Sequence, residues 1–135
     1  MLRKIMILIV IIAGFSSCTV FLKVNCSDCH TDKPDSADIK MYFTINAENQ
    51  KVPFEVYRGK VEDGNVEWVD TTNNETFYLY VKMDQFYSVL AKYKSGSRTI
   101  FAVDGQKIST RFSTDDCNED CYIVINNELD IRLKE

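Results

Sequence analysis

From residue 38 onward, the chain is a succession of short stretches in which apolar and polar side chains alternate. Successive side chains of a strand point to opposite faces, so this alternation predicts strands with one buried face. Each buried face needs an opposing layer, and the pattern therefore predicts two packed sheets. The clearest apolar sets are Ile39, Met41, Phe43 and Ile45; Val52, Phe54 and Val56; Phe77, Leu79 and Val81; and Tyr87, Val89, Ala91 and Tyr93.

Turn-forming residues separate these stretches. We predict turns at Asp63-Gly64, Ser95-Gly96 and Asp104-Gly105, and a polar loop over residues 70–75. We also predict that the last two strands pair through Asn126-Asn127. About eight or nine short strands with regular turn signals predict an all-β fold, a single small antiparallel β-sandwich of transthyretin-like or immunoglobulin-like type.

The N-terminus has the layout of a signal peptide, with Arg3 and Lys4 followed by the uncharged run Ile5 to Ala13. The segment Phe15-Ser16-Ser17-Cys18 comes next and resembles the lipobox of bacterial lipoproteins. The resemblance implies cleavage before Cys18 and acylation of that residue, with chains such as palmitate. An uncleaved anchor over residues 5–22 is the alternative.

This resemblance implies a location in the bacterial cell envelope, with the protein anchored to a membrane through lipid on Cys18. Thr19 to Lys23 lacks the acidic run that many surface-displayed lipoproteins carry after the lipidated cysteine. We therefore expect an outer-membrane protein that faces the periplasm. The predicted organisation is a signal peptide over residues 1–17, a lipidated tether with the Cys-x-x-Cys motif over residues 18–37, and the sandwich over residues 38–135.

Loss of residues 1–17 leaves 118 residues, enough for one domain. It also leaves 14 basic residues against 20 acidic ones, a net charge of about −6. Acidity of this kind argues against a nucleic-acid partner. No run of basic residues in the sequence adds electrostatic attraction to a membrane.

Part of the sandwich region resembles the transthyretin-like or carboxypeptidase-regulatory-like modules of exported bacterial proteins. The resemblance covers Lys51 to Tyr57, then Thr76 to Val81, then Phe86 to Val89. The customary Thr-Asp-x-x-Gly turn before the piece that begins at Thr76 is absent, and residues 70–74 stand in its place. A generic immunoglobulin-like sandwich fits the same residues.

Beyond Cys18 the chain has four cysteines, Cys26, Cys29, Cys117 and Cys121. An even number in a small exported domain predicts a disulfide framework with three possible connectivities. We favour bridges from the N-terminal pair to the loop over residues 115–120, because joining Cys26 to Cys29 closes only a trivial loop. Such bridges stabilise the fold by restricting the unfolded chain.

The motif Cys26-x-x-Cys29-His30 also matches the attachment site of c-type haem, and His30 is the single histidine of the chain. A metal site is a further alternative, built from Cys26, Cys29, His30, Cys117 and Cys121. A redox dithiol is a third. Strands in place of a helical shell argue against haem, and we expect no cofactor.

The sequence contains no other arrangement of residues that predicts catalysis. A triad would have to use His30, in the predicted tether, and there is no glycine-rich phosphate loop. Tyrosines opposite the predicted core are candidate partner contacts. We expect a non-enzymatic, lipid-anchored envelope protein that binds a protein partner or supports an assembly; the alternative is a haem or metal carrier. The tyrosines in question are Tyr42, Tyr57, Tyr78 and Tyr80.

Overall fold

The computed structural model describes residues 26–114 and 117–134, so the predicted signal peptide and Cys18 lie outside the described residues. Within these ranges no helix is long and apolar enough to cross a membrane. Two short 3-10 turns cover Cys26–Asp28 and Val61–Asp63. The strands are β1 Cys29–His30, β2 Ser36–Tyr42, β3 Val52–Arg58, β4 Val66–Thr72, β5 Thr76–Lys82, β6 Phe86–Ser95, β7 Arg98–Lys107, β8 Ser109–Ser113, β9 Cys121–Ile125 and β10 Glu128–Asp130.

These strands form three sheets. The main sheet has the order β4-β3-β6-β7 and is antiparallel throughout. The covering sheet has the order β10-β2-β5, with β10 parallel to β2. The cysteine sheet has the order β1-β9-β8 and contains Cys29 and Cys121. The arrangement confirms the predicted all-β fold, a small sandwich.

The core lies between the main sheet and the covering sheet. The predicted apolar sets meet there, with Ile39 and Met41 of β2 in one cluster with Val56 and Val89 of the main sheet. The buried Tyr93 hydroxyl accepts a hydrogen bond from the Thr44 amide and donates one to the Ile131 carbonyl, over 3.1 and 2.8 Å. These contacts hold the two sheets face to face, so their outer faces lie on opposite sides of the sandwich.

Two predicted turns are wrong. Asp104 and Gly105 lie inside β7, where Gly105 pairs with Ser88. Asn126 does have a positive φ of 61°, but the chain after it does not turn back onto β9. β10 pairs with β2 instead, because the buried Leu129 completes the core beside Met41. An alternating pattern fixes which face of a strand is buried but not which strand lies beside it.

Two element boundaries also differ from those predicted. β4 continues through Thr72, which takes up the first part of the predicted polar loop. Residues 26–37, assigned to the tether, include a strand that pairs with β9 and the start of β2. The predicted turn at Gly64 is present, with φ of 70°, but it follows a 3-10 turn and belongs to a longer connection.

Candidate interaction surfaces

The cysteine sheet is cross-linked by two disulfides, Cys26–Cys117 and Cys29–Cys121, with Cα–Cα distances of 5.7 and 5.4 Å. The bridges join the N-terminal pair to the second pair, as the favoured connectivity requires. They span 91 and 92 residues of sequence, so each closes nearly the whole domain into a loop. The short strand β1, which pairs with β9 at only two positions, is thereby held in place.

The sulfurs of Cys29, Cys117 and Cys121 lie within 4.8 Å of one another, because the two bridges are neighbours. Zinc and haem attachment both use the free thiol or thiolate. In this structure all four sulfurs are engaged in disulfides. His30 is exposed and pairs with Tyr122 on β9. The haem and metal alternatives therefore apply to a reduced chain.

A groove of about 720 Å³ lies between the covering sheet and the cysteine sheet. Two tyrosines of β5 line it, and they are among the most exposed aromatic side chains described, Tyr78 at 59% and Tyr80 at 69%. Residues from β1 and β9, including His30 and Val124, also line the groove. We call this feature the tyrosine groove.

The tyrosine groove is acidic. Four carboxylates line it against a single lysine, Lys40, which is paired with Tyr78 across β2 and β5. Tyrosine rings attract cations over their faces, and carboxylates form charge-assisted hydrogen bonds with them. The groove therefore suits a cationic ligand. Its carboxylates are Asp28, Asp35, Asp38 and Glu128.

Tyr42 lies on the same sheet face but is already engaged. Lys40 Nζ is 4.9 Å from its ring centroid, and the Arg132 guanidinium carbon is 5.6 Å from it. Arg132 donates two hydrogen bonds of 2.8 Å to Asp130 and lowers the pKa of that carboxyl to about 2. The predicted contact residue Tyr42 thus belongs to a preformed cation–π cluster.

The outer face of the main sheet carries an apolar surface. Strand pairing sets Val69, Glu55, Leu90 and Val103 in one row across β4, β3, β6 and β7. We call this surface the lysine face, because of the charges described below. It comprises the outward side chains of these four strands together with the adjoining Glu48 and Lys51. Its exposed apolar members are Val66 at 51%, Val69 at 66%, Phe86 at 37%, Phe101 at 58% and Val103 at 54%.

Lysines surround these apolar side chains. Lys51, Lys92 and Lys94 line one hollow of about 640 Å³ at the end of the face, and Lys107 lies opposite Phe86 at the other end. Glu48 lines the same hollow, where its carboxylate accepts a hydrogen bond from the Gly96 amide. Four lysines thus oppose Glu48 and Glu55 on a chain with an acidic net charge.

Glu55 organises the centre of this face. It accepts a hydrogen bond of 2.7 Å from Lys92 and another from the Tyr57 hydroxyl. The Lys92 bond, followed by that of Tyr57, lowers the pKa of Glu55, and the same carboxylate raises the pKa of Tyr57. Tyr57 is only 8% exposed. Tyr57 is therefore buried and not exposed as predicted, and its hydroxyl is already bonded to Glu55.

The sequence indicated the tyrosine groove but not the lysine face. Tyr78 and Tyr80 stand out by alternation on one strand, whereas Lys51 and Lys92 meet only because β3 lies beside β6. Because a turn was predicted at Asp104-Gly105, the sequence did not predict β7 as one continuous strand with a single outward side. No family model, curated protein or solved structure significantly matches this chain, so both surfaces are interpreted from their own chemistry.

Proposed function

We propose that this protein is a non-enzymatic binding module of the bacterial envelope, anchored to the outer membrane by lipid on Cys18 and facing the periplasm. The observation that supports binding is the tyrosine groove, where Tyr78 and Tyr80 are exposed beside four carboxylates. Tyrosine and other aromatic side chains are enriched at protein interfaces. The lipobox resemblance supports the anchor, and the sequence resemblance over residues 51–57, 76–81 and 86–89 supports a transthyretin-like module.

The chemistry of the groove favours one type of partner, a protein segment that presents lysine or arginine. Such a side chain would lie over a tyrosine ring while its charge approaches Asp38 or Glu128. Asp38 and Tyr80 are directly paired across β2 and β5, so one cation can contact both. Disulfides support this role, since they hold β1 as one wall of the groove.

Intact mass and photocrosslinking test the proposal together. The protein purified from membranes is expected to carry acyl chains on Cys18 and to expose four thiols only after reduction. A photoreactive amino acid at position 80 is expected to capture a partner, and the same amino acid at position 112 is the matched control. Phe112 is also exposed, at 53%, but lies outside the groove lining.

Three results would contradict the proposal. The first is a mature protein without acyl chains. The second is capture that is equal from positions 80 and 112. The third is a haem mass that survives reduction, or free thiols with bound metal; either would favour the carrier alternative at Cys26, Cys29 and His30.

A further inference from the structure

We infer that the lysine face docks onto a bilayer that contains anionic phospholipid, which turns the tyrosine groove away from the membrane. Surfaces that lie in a membrane interface combine apolar side chains with lysines, whose long stems let the charge reach the headgroups. The lysine face has this composition. Phe101 and Val103 project from β7 beside Lys92 and Leu90 of β6.

Charge favours an anionic lipid surface over a second copy of this chain. A second copy docked through the same face would set four lysines against four lysines, with only Glu48 and Glu55 on each side to offset them. An anionic lipid surface attracts the four lysines instead. The groove on the opposite side is lined by Asp28, Asp35, Asp38 and Glu128 against Lys40, so an anionic surface repels the groove. The two effects favour one orientation of the sandwich.

The proposed anchor makes a weak contact sufficient, and to this extent the inference rests on the proposed function. Seven residues separate Cys18 from Cys26, a distance of at most ~29 Å in an extended chain. The tether enters the domain close to the groove, which Asp28 lines. The two sheets of a sandwich lie ~10 Å apart, so a tether of this length is long enough to pass the edge of the sandwich and let the lysine face reach the lipid. Tethering also raises the effective concentration of the face at the bilayer.

Quenching by lipid tests the orientation in the full mature chain. Trp68 is first changed to Phe, and Phe101→Trp is then introduced as a single probe. The protein is reconstituted into vesicles of equal parts phosphatidylcholine and phosphatidylglycerol with brominated acyl chains. Phe112→Trp in the same background is the matched control, since Phe101 and Phe112 are exposed to similar extents, 58% and 53%.

We expect the probe at position 101 to be quenched and blue-shifted, and the probe at position 112 to stay in water. Vesicles of phosphatidylcholine alone are expected to weaken the quenching at position 101. Lys94→Gln and Lys107→Gln are each expected to reduce the docked-to-undocked ratio about fivefold. Thermal unfolding of each variant confirms that the sandwich is intact.

Several results would overturn the inference. Quenching at position 112 that equals or exceeds that at position 101 would show that the cysteine sheet faces the lipid. A blue shift at position 101 without lipid quenching would show that a protein covers the face. Absence of any change at position 101 would show that the face stays in water.

Failure of membrane docking by the lysine face can be distinguished from failure of the proposed function. If intact mass shows no acyl chain on Cys18, the anchor is wrong, but binding of the full chain to anionic vesicles still measures docking of the lysine face. Conversely, Tyr80→Ala is expected to abolish partner capture and to leave quenching at position 101 unchanged.

Discussion

The two outer faces of the sandwich differ in how they neutralise their charged groups. On the covering sheet, Tyr42 lies close to two cations and Arg132 is held by Asp130, while the carboxylates collect in the neighbouring groove. On the outer side of the main sheet, Glu55 forms an ion pair with Lys92, and no ion pair is found for Lys51, Lys94 or Lys107 among the described residues. One fold therefore presents an acidic aromatic groove on one side and an apolar cationic surface on the other.

The two faces also differ in how much each depends on the disulfides and the cysteine sheet. The lysine face lies on four continuous antiparallel strands, whose pairing is independent of the disulfides. The tyrosine groove needs the cysteine sheet as a wall, and β1 is held there by two paired positions and the bridges. Damage to the cysteine sheet is therefore expected to affect the groove first.

The largest effect is expected from removal of both disulfides. Substitution of all four cysteines by serine is expected to lower the free energy of unfolding by ~3–5 kcal/mol, since the unfolded chain regains its freedom. Partner capture from position 80 is expected to disappear, while lipid quenching at position 101 remains under conditions in which the sandwich is folded. Urea unfolding followed by Trp68 fluorescence measures the first quantity.

The double variant Cys26→Ser/Cys117→Ser is the control for this prediction. It leaves Cys29–Cys121, which closes a loop of nearly the same length, so most of the stabilisation is expected to remain. Equal losses in the double and quadruple variants would show that the bridges act through local contacts.

A smaller effect, confined to the lysine face, is expected from Gly105→Ala. A Cβ atom there would lie 2.9 Å from Ser88 Cβ, 3.0 Å from the Phe86 ring and 3.1 Å from the Tyr87 carbonyl oxygen. Such overpacking is expected to cost ~1–3 kcal/mol of stability. Thermal and urea unfolding measure the loss, and partner capture by the groove is expected to be unchanged.

The double variant Gly105→Ala/Phe86→Ala tests the cause, because it removes one of the crowding groups. Gly105→Ala is expected to cost less stability when introduced into Phe86→Ala than when introduced into the wild type. A Gly105→Ala protein as stable as the wild type would show that the Phe86 ring does not lie over this strand.

The smallest effect is expected from Asp130→Asn, which removes the carboxylate behind the Tyr42 cluster. Arg132 holds the pKa of Asp130 at about 2, below the ordinary value of ~3.9 in an unfolded chain. The resulting stability is fully present above the ordinary value and is lost as the pH falls toward about 2. Because both partners are largely exposed, the loss at neutral pH is expected to be small.

Unfolding measured between pH 7 and pH 2 tests this linkage. The wild type and Asp130→Asn are expected to converge at the acid end. Glu55→Gln is the control on the opposite face, where Lys92 lowers the pKa of the carboxylate in the same way. A stability difference for Asp130→Asn that is constant with pH would contradict the assigned role of the charge.

Sequence reasoning succeeded wherever the cause is local. Alternation placed Ile39, Met41 and Val89 in the core, because burial on one face of a strand requires apolar residues every second position. It failed at Asp104-Gly105, since the dipeptide that forms turns also fits a strand when a neighbouring ring covers the glycine. It also failed at Asn126-Asn127, where the partner of β10 is distant in sequence.

By itself, the sequence determined the all-β class, the two layers and the presence of disulfides, because period-two alternation and an even number of cysteines are informative without knowledge of which strands pair. The tertiary structure alone decided which surfaces these elements form. Lys51 and Lys92 lie in one hollow because β3 pairs with β6. Asp28 and Glu128 line one groove because the start of the cysteine sheet lies next to the covering sheet, in which β10 pairs with β2. Strand order brings distant charges together, and the order is set by long-range packing that no local pattern encodes.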